Sequence, residues 1–179
     1  MECIRFLASS NYQEKRVGYL GLTQLLTETN DIVMMVTNTL RVDLESDNSN
    51  VVGLALTALG NIGSFDICRD LAPYVVRLIE KSTHFIKKKA ILACARIVRK
   101  YPDVIEEVVP LTLQLLKDKQ HCIVLTTAAL IDEILVSNPE FAPRFQPGIQ
   151  DMLRILRTLL LSGYSFEFDV QGINDPILQ

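Results

Sequence analysis

The side chains with chemical reach are few and scattered. Two histidines, His84 and His121, stand 37 residues apart, and the four cysteines, Cys3, Cys68, Cys94 and Cys122, contain no Cys-x-x-Cys pair. A zinc site needs about four ligands at compact spacing, and this set does not supply them, so no metal site is expected. Cysteines among apolar neighbours, such as Cys94 between Ala93 and Ala95, read as free, buried small hydrophobes in a reducing compartment. Glu106-Glu107 and Asp132-Glu133 are adjacent acids. Neighbours in sequence do not face each other on a helix, so both pairs read as solvated surface, not as an acid/base couple. Gly60-Asn-Ile-Gly63 lacks the Lys-Ser/Thr of a phosphate-binding loop and reads as a helix C-terminus. His84 and His121 occupy repeat-equivalent turns, and no Ser/His/Asp set can be assembled around them. The expectation is a protein that is not an enzyme, with no catalytic residue and no cofactor.

One charged feature stands out. Lys87-Lys88-Lys89 is preceded by Lys81 and followed by Arg96, Arg99 and Lys100. Three consecutive residues fan over about 200° of a helix, so at least one must point to solvent. Lys87, Lys88 and Lys89 are the candidate contact for an anionic partner: a phosphoinositide headgroup, an acidic protein or a GTPase. A solvated repeat edge is the plainer alternative. Lys15-Arg16, 72 residues before Lys87-Lys88, would extend the run as a basic stripe along one edge.

The elements that must position these side chains declare themselves by repetition. Pro73, Pro110 and Pro147 are spaced by 37 and 37 residues, and so are Pro102, Pro139 and Pro176. Val17, Leu54, Ile91 and Ala128 keep the same step as an apolar column. A period in the high thirties points to paired-helix repeats. Within one period, Val104, Val108, Leu111 and Leu115 recur at helical spacing along Pro102–Lys117, with Pro102 in the first turn and a kink expected at Pro110. The second helix of that repeat runs about Gln120–Val136, and earlier second helices about Tyr12–Leu26, Asn50–Ile62 and Phe85–Lys100. First helices are expected over about Asp31–Leu44 and Asp66–Lys81, with ends at Gly63 and Asn138. Gly148–Leu161 reads as a further helix, and Met1–Ala8 as an amphipathic helix without a partner. No period-two strand pattern competes. Residues 162–174 read as an irregular loop carrying Tyr164, Phe166 and Phe168, with Asp175-Pro176 as a cap and first turn.

The fold class expected is therefore all-α, a HEAT/armadillo-like α-solenoid of paired antiparallel helices with a repeat of about 37 residues. Composition agrees: 179 residues, 49% hydrophobic, no Trp and a net charge of −3 exclude disorder and a globally basic nucleic-acid binder. The longest uncharged stretch, Asn48–Phe65, is too rich in Asn, Ser and Gly for a membrane span. A soluble, intracellular protein is the expectation. Neither end carries a polar capping repeat, so residues 1–179 read as a single fragment of a longer solenoid.

Several runs resemble a known family. Lys15-Arg-Val-Gly-Tyr-Leu-Gly21, Gly53-Leu-Ala-Leu56, Cys68-Arg-Asp-Leu-Ala72, Lys88-Lys-Ala90, Ser162-Gly-Tyr-Ser165 and Asp169-Val-Gln-Gly-Ile-Asn-Asp-Pro176 look like the large subunits of clathrin adaptor complexes. Cys68–Ala72 and Ser162–Gln179 point to the gamma-adaptin class of the trans-Golgi and endosomal adaptor. Phe166 and Phe168 depart from the proline and histidine usual there. The resemblance implies a piece of the N-terminal trunk, starting after its first few helices and ending well inside it. It further implies a structural large subunit in intracellular protein transport and vesicle coat assembly. Its partners would be a sigma-type small adaptin, a beta-type large adaptin and a medium (mu) adaptin. An ARF-family GTPase and a phosphoinositide membrane would act through the full complex, and clathrin through regions outside this chain. The implied location is cytoplasmic, peripheral on trans-Golgi network and endosome membranes and on clathrin-coated vesicles, with no nucleic acid involved. The alternative is a generic peptide-binding receptor of the importin type, which commonly presents Trp and Asn ladders; this chain has no Trp.

Overall fold

The computed structural model describes residues 2–25, 32–161, 169–170 and 173–174. Nine α-helices are found among them: α1 Glu2–Leu7, α2 Tyr12–Leu25, α3 Ile32–Leu44, α4 Ser49–Ile62, α5 Phe65–Lys81, α6 His84–Lys100, α7 Ile105–Leu115, α8 His121–Ser137 and α9 Ala142–Leu161. The chain divides into two compact units, Met1–Ile105 and Glu106–Gln179. In the first, α3 pairs with α4 and α5 with α6; first helices α3 and α5 touch each other, and second helices α2, α4 and α6 pack in series. This is the paired-helix solenoid that the 37-residue period predicts, with each repeat burying its apolar face on its neighbours.

The combs of prolines explain how each first helix is built. Phe65, Pro102 and Pro139 open the first helices, the latter two through short 3₁₀ turns, Pro102–Val104 and Pro139–Phe141. Eight residues on, Pro73, Pro110 and Pro147 sit inside α5, α7 and α9. All three are exposed, so the carbonyl that loses its amide partner faces water. This corrects one expected boundary: α9 runs through Pro147 from Ala142 instead of starting at Gly148. Gly148 lies close to two leucines: a Cβ there would stand 3.0 Å from Leu116 Cδ1 and 3.1 Å from Leu113 Cδ2, so those side-chain ends would have to give by a few tenths of an ångström.

Gly63 and Asn138 do terminate helices, α4 and α8. Gly63 has φ of −60°, so no left-handed turn requires glycine here. A Cβ would instead meet the Leu59 carbonyl oxygen at 2.7 Å and Cys68 Sγ at 2.8 Å. Two further expectations change. Helix α1 is not without a partner, since it packs directly on α2. Residues Asp169–Val170 and Ile173–Asn174 form a two-residue antiparallel ladder inside the segment read as irregular loop. Tyr164, Phe166, Phe168 and Asp175-Pro176 lie outside the described residues.

Among the described residues, the core of the first unit holds a polar cluster around Asp43. Lys15 Nζ donates to both carboxylate oxygens of Asp43, at 2.7 and 2.9 Å, and to the Leu7 carbonyl at the end of α1, at 2.8 Å. The Tyr19 hydroxyl donates to Asp43 Oδ2 at 2.7 Å. Asp43 is 4% exposed and Tyr19 2%. A carboxylate this deep is tolerable only with its lone pairs met, and one cation plus one phenol meet them.

Burial first, then the hydrogen bond and negative charge of Asp43, push the Tyr19 phenol well above its ordinary value. The folded chain thus favours the neutral phenol. Its contribution to stability is whole below about pH 10 and is lost as pH rises further and the unfolded chain releases the proton. Tyr19→Phe is expected to cost about 1 kcal/mol at neutral pH. It should also flatten the decline of the melting temperature above about pH 10. Parallel melting profiles for the two proteins across that range would contradict this assignment.

Candidate functional site: a basic groove between second helices

Helix α6 is amphipathic by construction. Ile86, Ala90, Ile91, Ala93, Cys94, Ile97 and Val98 are buried, leaving the lysine run and Leu92 on the other side. Helix α4 buries Val51, Val52, Ala55, Leu56, Ala58, Leu59 and Ile62, and its N-cap Asn48 accepts from the Asn50 amide at 3.0 Å. Where these second helices meet, a groove of about 490 Å³ opens, lined by Leu56, Thr57, Gly60, Lys88, Leu92 and Arg96 among others. Lys89 also lines it, and no acidic side chain does.

The lysine run divides by role. Lys89 reaches across to α4, donating to Thr57 Oγ1 at 3.2 Å, with a long 3.5 Å contact to the Gly53 carbonyl, and its ammonium lies 5.6 Å from the Phe85 ring centroid. Its stem packs on Gly53, where a Cβ would come within 3.2 Å of Lys89 Cδ. Seven residues along each helix the device recurs: Arg96 Nε donates to the Gly60 carbonyl at 3.0 Å. Lys87 and Lys88 make no ion pair among the described residues, and both are partly exposed. The groove therefore gathers cations answered by backbone carbonyls, not by carboxylates.

The sequence reading leaves Gly53, Gly60 and Leu92 outside this site and takes Arg96 only as a charge that follows the lysine run. The signal for them was available in the spacing. Gly53 and Gly60 stand seven apart on one helix, and a cation follows each after 36 residues. Conversely, Lys15 drops out of the basic stripe, because its charge is spent on buried Asp43.

The other chemical candidates are dispersed. His84 and His121 are the first residues of α6 and α8, as turn positions would have them. Cys68 and Cys94 are buried, but Cys3 is half-buried and Cys122 exposed, so the small-hydrophobe reading covers only two of the four. Glu106 pairs with Arg144 on the surface. Among the described residues no three His, Cys, Asp or Glu side chains cluster as metal ligands do, and no single helix is long and apolar enough to cross a membrane.

Stacked helix pairs with a shared second-helix surface define a HEAT/armadillo-like helical repeat protein. Within that class, the model of the adaptin N-terminal region matches residues 1–179, and the chain belongs to that family. The AP-1 complex subunit gamma-1 of Arabidopsis thaliana is 45% identical over 179 residues, covering 99% of this chain and 20% of that protein. That match runs along essentially the whole of this chain and supports the gamma-class resemblance read from Cys68–Ala72 and Ser162–Gln179. A chain of a structure described as a homology model of the full-length AP-3 complex in an intermediate open conformation superposes with a TM-score of 0.71 at 30% identity, over 87% of this chain and 27% of its own. A designed armadillo repeat protein in complex with the peptide (KR)4 gives 0.65 at 19% identity, over 87% of this chain and 73% of its own, a likeness of fold alone. The chain spans about a fifth of the length of its AP-1 gamma relatives.

Proposed function

We propose that this chain is a load-carrying section of the large subunit of a clathrin-associated adaptor complex, acting in vesicle coat assembly and intracellular protein transport. The observation that supports it most is family membership across all 179 residues joined to a helical repeat fold. The chemistry agrees. A repeat protein binds by broad surfaces assembled from many helices, with buried apolar anchors and a polar rim, and it needs no catalytic group. The role is structural, not enzymatic.

In this reading the partners are a sigma-type small adaptin, a beta-type large adaptin and a medium adaptin. The assembled complex works as a peripheral coat on trans-Golgi network and endosome membranes, recruited by an ARF-family GTPase and phosphoinositide. Clathrin engages regions outside these residues. Lys87, Lys88 and Lys89 supply the contact for an anionic partner, with Lys87 and Lys88 the two whose charges are not engaged by α4. Affinity capture of the full-length protein from cells is expected to recover beta-type, medium and small subunits in near-equal amounts. Capture without them, from cells in which another adaptor assembles normally, would remove this reading.

A further inference from the structure

We propose that the α4–α6 groove of the first unit is a docking site for an extended acidic peptide of the pattern acid–x–apolar–x–acid. The inference narrows the anionic contact of the lysine run to one partner class. It rests on that contact and not on adaptor assembly.

Three lining residues set the pattern. Lys88, Leu92 and Arg96 follow one another at four-residue steps on α6 and line the same groove. Each step advances about 6 Å along the helix axis. In an extended strand, residues i, i+2 and i+4 point the same way and are about 6.6–6.8 Å apart. An extended peptide laid along α6 thus brings alternate side chains into register with a cation, an apolar surface and a second cation. Leu92 is 47% exposed and, with buried Leu56, gives the groove lining an apolar portion between the cations.

The cations are prepared for carboxylates. Arg96 uses Nε on the Gly60 carbonyl, which holds the guanidinium in place and leaves its two terminal nitrogens for a bidentate carboxylate. Lys88 has no ion-pair partner among the described residues, and Lys89 stands beside it, oriented by Thr57 and Phe85. With no acid in the lining, the positive charge is locally uncompensated in a protein whose net charge is −3. These charges line a concave groove, and two of them are tied to α4. A strand laid along α6 meets Lys88, Leu92 and Arg96 in turn, whereas a phosphorylated headgroup answers the cations and leaves Leu92 without an apolar partner. An acidic peptide is therefore favoured over a membrane headgroup.

The test is fluorescence anisotropy of the full chain with a labelled peptide Ser-Glu-Thr-Leu-Thr-Glu-Ser, against a control with both Glu changed to Lys. Saturable, salt-sensitive binding of the acidic peptide alone is expected. Lys88→Glu, a side chain without internal partners, should weaken it by about tenfold, and one of the two peptides carrying a single Glu-to-Lys change should recover the loss. Lys81→Glu, an exposed lysine at the end of α5 that does not line the groove, should leave affinity within about twofold. Thermal melts of each variant check that the fold is intact. Equal losses for Lys81→Glu and Lys88→Glu would reduce the effect to a diffuse field and overturn the proposal. So would binding to phosphatidylserine-containing vesicles with no binding to the peptide. Co-purification of Lys88→Glu with a small adaptin separates the two readings. Retained assembly with lost peptide binding supports the groove. Loss of both assigns the groove to the subunit interface and overturns the proposal while leaving the adaptor reading standing. A native chain that binds the peptide and ignores the small adaptin supports the groove and removes the adaptor reading.

Discussion

Asp43→Ala is expected to destabilise the protein by about 3–5 kcal/mol, because it leaves the Lys15 ammonium buried against the Leu7 carbonyl without its counter-ion. The same change strips Tyr19 of its acceptor, adding a buried unsatisfied hydroxyl. For a chain of this size the loss corresponds to roughly 10 °C in the melting temperature. The clasp joins three helices, α1 through Leu7, α2 through Lys15 and Tyr19, and α3 through Asp43, so the effect should spread across the start of the first unit. Its sign is informative when the charges are removed together. The triple variant Lys15→Met, Tyr19→Phe and Asp43→Leu should lose far less than Asp43→Ala, since apolar replacement of a whole buried polar cluster is often nearly neutral. Circular dichroism melts of the two proteins decide the matter. A triple variant as unstable as the single one would mean that the cluster's net attraction, not the stranded groups, carries the stability.

Gly18→Ala has the second large expected effect. A Cβ at this position would stand 2.9 Å from both the Cys3 carbonyl oxygen and the Leu7 amide nitrogen, which are backbone atoms of α1. Helix α1 would have to move as a body, so a cost of about 1–3 kcal/mol is expected. Gly60→Ala is the natural contrast. Its nearest neighbour is Ala93 Cα at 3.8 Å, ordinary van der Waals distance. Removing a helix-interior glycine there should stabilise by about 0.5–1 kcal/mol. Urea unfolding of both variants checks the pair. Similar shifts of one sign would show that helix propensity, not approach distance, governs both positions.

These two sites also show what a sequence reveals and conceals. Lys15-Arg-Val-Gly-Tyr-Leu-Gly21 stood out as a family run, and its structural meaning is a clasp: Lys15 and Tyr19 hold Asp43 while Gly18 admits α1. The partner of that clasp lies 28 residues away from Lys15, and nothing in local spacing marks Asp43 as buried. For the same reason Lys15 looked like part of a basic stripe. Periodicity is a stronger signal, because every repeat solves the same packing problem; hence helix pairs and ends such as Gly63 and Asn138 were legible. The start of α9 was not. An internal proline usually ends a helix, and only its placement on the exposed side explains why Pro147 is carried within one. The two-residue ladder at 169–174 was also hidden, being too short for any alternating pattern to register. In the groove, the lysine run was visible from charge alone. Its division into anchored Lys89 and unengaged Lys87 and Lys88 required knowing that Gly53 and Thr57 face α6.

α9 leaves Ile149, Met152, Leu153 and Leu160 exposed, although the sequence marks them as an apolar stripe. Only Leu159 of that stripe is buried. Burial of a leucine contributes about 1.5–3 kcal/mol, and no described element of the second unit collects that gain here.

The most direct test of the scaffold role is the mass, by light scattering on a sizing column, of the full-length protein co-expressed with a sigma-type small adaptin. A stable one-to-one heterodimer is the predicted result. A folded protein that elutes at its own mass, with the small adaptin separate, would contradict the adaptor-subunit role and leave a helical repeat protein with a different partner.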